Sequence, residues 1–92
     1  MGVTSIKEQV KSVADGFFSY TVTNLRKYTP HQLKDILSAI GTVEREVRRD
    51  VPTDGDFDAI KKKNFRLGNL RRSRLVVENF IRQRRIKMPG ME

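Results

Sequence analysis

The sequence predicts an all-α protein, a small bundle of three or four helices. Three observations support this fold class: helix-start signals, apolar stripes at three- and four-residue spacing, and a length of 92 residues without cysteine. A chain of this length forms one modest core, so we expect a single helical domain over residues 1–92. Without cysteine, neither a disulfide framework nor a thiolate metal site can stabilise it.

The first helix is expected over residues 5–27. Ser5 and Glu8 have the spacing of a capping box, which marks a helix start. Apolar residues then follow at helical spacing, a pattern that predicts one buried stripe. These residues are Val3, Ile6, Val10, Val13, Phe17 and Tyr20.

The second helix is expected over residues 30–50 and has the clearest start signal. Thr29 is a preferred N-cap residue, Pro30 suits the first helical position, and Gln32 completes a capping box. A regular apolar stripe follows, which indicates a face packed on the core. It comprises Leu33, Ile36, Leu37, Ile40, Val43 and Val47.

The third region starts after a turn rich in Pro, Asp and Gly, where Asp54 or Asp56 can cap a helix. Gly68-Asn69 then interrupts the helical pattern. Either one helix continues through a weak point there, or one helix ends and another begins. We assign two helices, residues 56–67 and 70–88, the second ending before Pro89-Gly90.

The net charge of +8 lies almost entirely in this third region. Residues 1–55 carry eight basic and seven acidic side chains, whereas residues 56–88 carry eleven basic and three acidic ones. Such asymmetry indicates a polyanionic or acidic partner. The candidate partner-binding residues are Lys61, Lys62, Lys63, Arg66, Arg71, Arg72, Arg74, Arg82, Arg84, Arg85 and Lys87.

The final helix divides into distinct faces at 100° per residue. One broad apolar arc is expected in the core: Leu70, Ser73, Val76, Val77, Phe80, Ile81 and Met88. Beside it runs a stripe of Arg71, Arg74, Glu78, Arg82 and Arg85, and beyond that a smaller apolar spot of Leu75 and Ile86. The stripe fits phosphate contact, an acidic protein surface, or a solvated face where Glu78 pairs with Arg74 or Arg82.

Other candidate sites have simpler interpretations. Phe65 lies among basic residues, as base-stacking aromatics do, but beside Leu67 it is expected in the core. The aspartates near residue 54 lack the spacing of a calcium loop and are expected to cap helices. His31 has no evident catalytic companion, so we expect a surface residue, no cofactor and no enzymatic activity.

The basic helix also resembles a known family. Arg72-Ser73-Arg74-Leu75-Val76, Phe80-Ile81-Arg82-Gln83-Arg84 and Lys87-Met88 are similar to the basic helix in the helical domain of GINS complex subunits. GINS is an accessory factor of the archaeal and eukaryotic replicative helicase, and the resemblance covers about residues 29–88. It implies that this helix packs within its subunit and a four-subunit assembly. Arg74, Arg82 and Arg85 would then serve mainly in assembly contacts rather than in DNA contacts.

These features predict a non-catalytic basic helical subunit of a nucleic-acid-associated assembly, with DNA replication as the named setting. The alternative is a stand-alone nonspecific DNA- or RNA-binding protein, nucleoid- or ribosome-associated, that uses the basic helix. Expected partners are nucleic acid or an acidic protein surface, together with other subunits or further copies of the chain. No membrane contact or small-molecule substrate is expected, and the predicted location is intracellular, in cytoplasm or nucleus.

Overall fold

The structure is a computed structural model that describes residues 5–51 and 55–86. Within these ranges the chain forms four helices and no strand: α1 (Ile6–Ala14), α2 (Val22–Leu25), α3 (Pro30–Arg49) and α4 (Phe57–Gln83). The predicted all-α class, a small bundle of three or four helices, is therefore confirmed. Helices α1, α3 and α4 pack against one another, and the short α2 lies against α4.

The helix starts follow the capping signals of the sequence. The Ser5 hydroxyl accepts a hydrogen bond from the Glu8 backbone N–H at 3.1 Å. Thr29 and Gln32 form both halves of a capping box. The carboxylate of Asp56 accepts from the backbone N–H of Ala59 at 3.1 Å, which makes Asp56 the cap of α4. Each contact satisfies a backbone donor that lacks an intrahelical partner.

The first helix is shorter than the predicted 5–27, because α1 ends at Ala14. Gly16 has a φ of +85°, and the Phe17 N–H bonds to the Ser12 carbonyl at 2.9 Å. This left-handed turn is a Schellman motif, which terminates a helix and suits glycine at its turning residue. The chain re-enters helix only at α2, so the predicted continuous stripe is wrong beyond Ala14.

The predicted boundary at Gly68-Asn69 is also wrong, because α4 is a single helix of 27 residues that passes through both positions. The Asn69 side chain does not compete with the helix backbone. Its amide instead donates to the Ala14 carbonyl of α1 at 2.9 Å, and Leu70 beside it is completely buried. Tertiary contacts thus outweigh the low helix propensity of the Gly-Asn pair.

The end of α4 lies at Gln83 rather than at the predicted residue 88. Arg85 adopts the left-handed φ of +53°, and the Ile86 N–H bonds to the Ile81 carbonyl at 3.1 Å. This second Schellman motif turns Ile86 back against the core. The stop signal predicted at Pro89-Gly90 lies outside the described residues.

The core lies between α1, α3 and α4. The predicted stripe of α3 is buried except for Leu37 and Val47, which are partly buried, and Phe17, predicted in the stripe of the first helix, is exposed. The predicted arc of α4 is buried or partly buried from Leu70 to Ile81, and Met88 lies outside the described residues. Truncating a buried Leu or Ile to Ala typically costs about 2–5 kcal/mol, so these positions dominate stability. The completely buried hydrophobic residues are Val10, Leu25, Leu33, Ile36, Ile40, Leu70 and Val77.

A polar network ties the segment between α1 and α3 to the bundle. The buried Tyr20 hydroxyl donates to Gln9 Oε1 at 2.8 Å, and Gln9 Nε2 donates to the Tyr28 hydroxyl at 3.1 Å. Burial raises the pKa of the Tyr20 hydroxyl, and the nearby Tyr28 adds to this effect. Both tyrosines therefore share one glutamine from α1, which fixes the path of the connecting segment.

Candidate nucleic-acid or partner interface

Three of the predicted binding residues are engaged within the fold. Arg66 Nε bonds to Asp15 Oδ1 at 2.9 Å, which joins α4 to the end of α1. Lys63 Nζ donates to the Arg48 carbonyl at the end of α3 at 3.2 Å. Arg74 forms an ion pair with Glu44 of α3. These cations hold α4 against its neighbours.

Glu44 is the buried acid of the bundle, with a side chain only 5% exposed. Its Oε1 contacts Arg74, and its Oε2 lies 3.6 Å from Arg48. The predicted pairing of Arg74 or Arg82 with Glu78 is wrong for Arg74, and Glu78 itself is exposed without an ion pair in the part of the chain described. Because a buried carboxylate needs a cation to offset its lost hydration, Arg74 stabilises the fold rather than offering a free surface charge.

The remaining basic residues define an exposed surface along α4. Its outer face, opposite the buried arc, is marked by exposed residues that are three, four or seven positions apart. These residues are Phe57, Lys61, Asn64, Arg71, Leu75, Glu78 and Arg82. Lys61, Arg71 and Arg82 form no ion pair within residues 5–51 and 55–86, so their charge is available to a partner.

Further cations flank this outer face. Lys62 and Arg72 are exposed near the first half of α4, and Arg72 donates to Asn69 Oδ1. Beyond the end of α4, the Arg84 guanidinium lies 5.3 Å from the centre of the Phe80 ring, a cation–π distance. Arg85 is exposed at the left-handed turn. Lys87, also predicted as a binding residue, lies outside the described residues.

The predicted apolar spot of Leu75 and Ile86 does not form. Leu75 is largely exposed on the outer face, whereas Ile86 packs on the core after the Schellman turn. The spot was inferred from a helix that continues to residue 88, and the helix ends five residues earlier. The outer face therefore presents a single aliphatic side chain, Leu75, between Arg71 and Arg82.

The first half of α4 contains an exposed aromatic cluster that the sequence pattern did not predict. None of the residues 57–69 is buried, and Phe57 and Phe65 are 73% and 53% exposed. Phe65, expected in the core, therefore lies at the surface. Phe17, on the turn after α1, is 85% exposed. Three of the five phenylalanines thus face solvent, which is unusual for a residue that normally contributes to cores and interfaces.

Two clefts lie beside the Phe65 ring. The Phe17 cleft, about 380 Å³ in volume, is lined by Asp15, Phe17, Lys62, Phe65 and Arg66. The Arg72 cleft, about 350 Å³ in volume, is lined by Val13, Gly16, Phe18, Ser19, Phe65, Asn69, Arg72, Ser73 and Val76. Both volumes are within the range of small-ligand sites. The Phe65 side chain therefore lines both clefts, each of which has an exposed cation at its lining.

Charge on the opposite side of the bundle is largely balanced. Lys7 Nζ pairs with Glu46 Oε2 at 3.0 Å between α1 and α3. This hydrogen bond, reinforced by the Lys7 charge, lowers the pKa of the Glu46 carboxyl. Residues 5–51 carry eight basic and six acidic side chains, whereas residues 55–86 carry ten basic and three acidic ones, so the excess positive charge lies on α4 and its end.

Residues 5–51 and 55–86 contain neither a metal-binding group of side chains nor a membrane-spanning helix. No group of three or more His, Asp or Glu residues there is arranged to hold a metal ion. No helix in the same ranges is long and apolar enough to cross a membrane. His31 is exposed at the start of α3.

Comparison with known proteins identifies no similar protein. No protein-family model matches the chain, and no curated protein or solved structure is significantly similar to it.

Proposed function

We propose that this protein is a non-catalytic, intracellular binding subunit of a nucleic-acid-associated assembly, and that the outer face of α4 contacts a phosphate backbone. The proposal depends on one observation: Lys61, Arg71 and Arg82 project from one exposed face without acidic partners in the described structure. They span 21 residues, about 32 Å at 1.5 Å per residue. This length suits several phosphates of one nucleic acid.

The charge of this face explains how affinity arises. Each phosphate that a Lys or Arg neutralises releases condensed counterions, so binding strengthens as salt falls. Three contacts on duplex DNA give a slope of about −2.7 for log affinity against log salt concentration. Affinity then falls about 40-fold between 50 and 200 mM salt. Contacts from Lys62 or Arg85 would increase this dependence.

The setting we propose is a multi-subunit complex of the DNA-replication type, following the resemblance to GINS subunits. The buried Arg74–Glu44 pair supports it, because the resemblance implies that this helix packs largely within its own subunit. Exposed Leu75 on the outer face offers an apolar contact to a neighbouring subunit. An acidic surface of such a subunit would occupy the same basic face as nucleic acid.

The second candidate is a stand-alone nonspecific nucleic-acid-binding protein. The length of the unpaired basic face favours it, since that face needs no second subunit to be complete. The two candidates differ in what the purified protein does alone. The stand-alone protein binds duplex at about 100 mM salt as a monomer, whereas the subunit requires its partners for tight binding.

A salt titration with fluorescein-labelled duplex DNA tests the phosphate contact. Relative to wild type, the variant R71Q/R82Q removes two contacts and is expected to reduce the salt slope by about 1.8. The control K34Q/R49Q removes the same charge from exposed positions of α3 and should leave the slope unchanged. Equal losses in both variants would show that net charge, rather than the outer face of α4, governs binding.

The mass of the purified protein separates assembly from stand-alone binding. A monomer that binds duplex with micromolar affinity at about 100 mM salt supports the stand-alone candidate. Failure of a folded chain to bind DNA at any salt concentration, with or without co-purifying subunits, would contradict both candidates.

A further inference from the structure

The two clefts beside Phe65 combine features that the outer face lacks. Aromatic side chains form exposed walls, and Lys62 and Arg72 supply the cations. The aromatics lie near one end of the bundle, where α1 ends and the first half of α4 runs with no buried residue. Aromatic walls and cations together are complementary to a ligand that has both flat apolar groups and negative charge.

The backbone that carries Phe17 is fixed by the Schellman turn after α1. Gly16 turns the chain through its positive φ, and the Phe17 N–H bonds to the Ser12 carbonyl at 2.9 Å. A Cβ atom at Gly16 would lie 3.1 Å from Phe65 Cζ, so the turn approaches the Phe65 ring closely. The Arg66–Asp15 pair joins the same two segments at 2.9 Å. The Phe17 cleft is therefore preorganised, which lowers the entropy cost of binding.

The Arg72 cleft extends this site across Phe65. Asn69 anchors α4 to the Ala14 carbonyl and accepts a hydrogen bond from Arg72, which places the Arg72 guanidinium at the lining. Ser19 adds a hydroxyl group to the same cleft. A hydroxyl can donate to or accept from the edge of any base, so it does not restrict sequence. The same ring, Phe65, borders both clefts.

We propose that these clefts bind two successive unpaired bases of a single-stranded nucleic acid, one on each side of Phe65. The first base stacks between Phe17 and Phe65, the second stacks on Phe65 in the Arg72 cleft, and Lys62 and Arg72 contact the adjoining phosphates. This inference rests on the proposed nucleic-acid function and specifies the strand type. Aromatic stacking next to cations is how proteins bind single strands without sequence preference.

Charge favours this occupant over other candidates. A second copy of the chain, which also carries a net charge of +8, would be repelled from a basic site. An acidic peptide with aromatic residues would satisfy the charge. The exposed apolar walls of the Phe17 cleft are, however, aromatic only, and they lack the row of aliphatic contacts that binds an amphipathic peptide helix.

The test exploits the absence of tryptophan from the chain. In the variant F17W the only indole lies in the Phe17 cleft and keeps an aromatic wall there. Titration with a 12-nucleotide oligothymidine is expected to quench its fluorescence, whereas a 12-base-pair duplex at the same phosphate concentration is expected to leave it nearly unchanged. Equal quenching by both would overturn the stacking proposal.

Affinity measurements with matched variants complete the test. Replacing Phe17 by Leu removes the ring from a side chain that is 85% exposed, so the fold is preserved. Single-strand affinity is expected to fall about fivefold or more, the loss of one stacked base, with duplex affinity unchanged. F57L is the control, because Phe57 is also exposed but lines neither cleft. Circular dichroism confirms that each variant is folded.

The outcomes separate this inference from the proposed function. If F17L and F57L bind single strands as wild type does, the stacking site is wrong, although salt-dependent duplex binding by α4 still stands. If neither strand type binds at 50 mM salt, both proposals fail. If an acidic aromatic peptide quenches F17W and the oligothymidine does not, the cleft is a peptide site and the inference is overturned.

Discussion

Arg74 and Arg71 are neighbours in sequence, but the structure assigns them opposite roles. Replacing Arg74 by Met removes the cation from the buried Glu44 carboxylate while retaining most of the apolar stem. Replacing Arg71 by Met removes an exposed charge from the outer face. We therefore expect the first variant to be destabilised and the second to remain nearly as stable as wild type.

The magnitude follows from the surroundings of Glu44. Removing one partner of a fully buried ion pair typically costs about 3–5 kcal/mol. Here the Arg74 side chain is 37% exposed and Arg48 remains 3.6 Å from Oε2, so solvent screening and the second cation lower the cost to below that range. We expect R74M to lose about 2–3 kcal/mol of unfolding free energy, and R71M less than about 0.5 kcal/mol. For a chain of this size, the first loss lowers Tm by about 10–20 °C.

Urea denaturation followed by circular dichroism at 222 nm measures both losses. The double variant E44L/R74M removes the stranded carboxylate and is expected to recover much of the stability that R74M loses. R74M and R71M with the same unfolding free energy would refute the assignment of Arg74 to the core. If the loss of unfolding free energy in the double variant exceeds the sum of the losses in E44L and R74M, the direct pairing of Arg74 with Glu44 is refuted.

Two further predictions concern the fold. Gly68→Ala should raise the unfolding free energy by about 0.5–1 kcal/mol in thermal melts, because a Cβ there meets only the Arg72 side chain, at 3.7 Å. The matched change Gly16→Ala should destabilise, since its φ is +85° and its Cβ would meet Phe65 at 3.1 Å; a loss in both would indicate a helix break at Gly68. Urea titrations above pH 10 should show stability falling as pH rises. The unfolded chain ionises Tyr20 near its ordinary pKa of about 10, whereas burial raises the pKa in the folded state. The contribution of the neutral Tyr20 hydroxyl to the unfolding free energy is fully present below pH 10. It is lost as the pH rises from 10 to the raised pKa of the folded state. Tyr20→Phe should flatten the decline, and an unchanged slope would contradict the assignment.

Features encoded by adjacent residues could be predicted from sequence. The caps at Ser5 and Thr29 join groups three residues apart, so the pattern contains the whole interaction. The apolar stripe of α3 is likewise a repeated local signal, and burial follows it. The concentration of excess positive charge in residues 56–88 is likewise contained in the sequence.

Features that depend on distant residues could not be predicted. Glu44 and Arg74 are thirty positions apart, whereas helical spacing favours Glu78, four residues from Arg74, as the partner. The α4 helix continues through Asn69 because Ala14, far away in sequence, accepts its amide. Phe65 is an apolar residue within a helix, so its local features are those of a core residue in a helical bundle. Its exposure follows from α4 having no buried residue before Leu70, which no local pattern reveals.

The continuity of α4 gives the bundle an uneven distribution of local stability. The second half of the helix is buried at Leu70, Val77 and Phe80, whereas the first half contains no buried residue and is tied to α1 by polar contacts such as the Asp15–Arg66 pair. Segments with few buried contacts open at much lower free energy than the whole domain. Amide hydrogens of residues 60–66 should consequently exchange faster than those after Leu70. A ligand held between Phe17 and Phe65 would slow that exchange. Binding would thereby stabilise the first half of α4 against local opening.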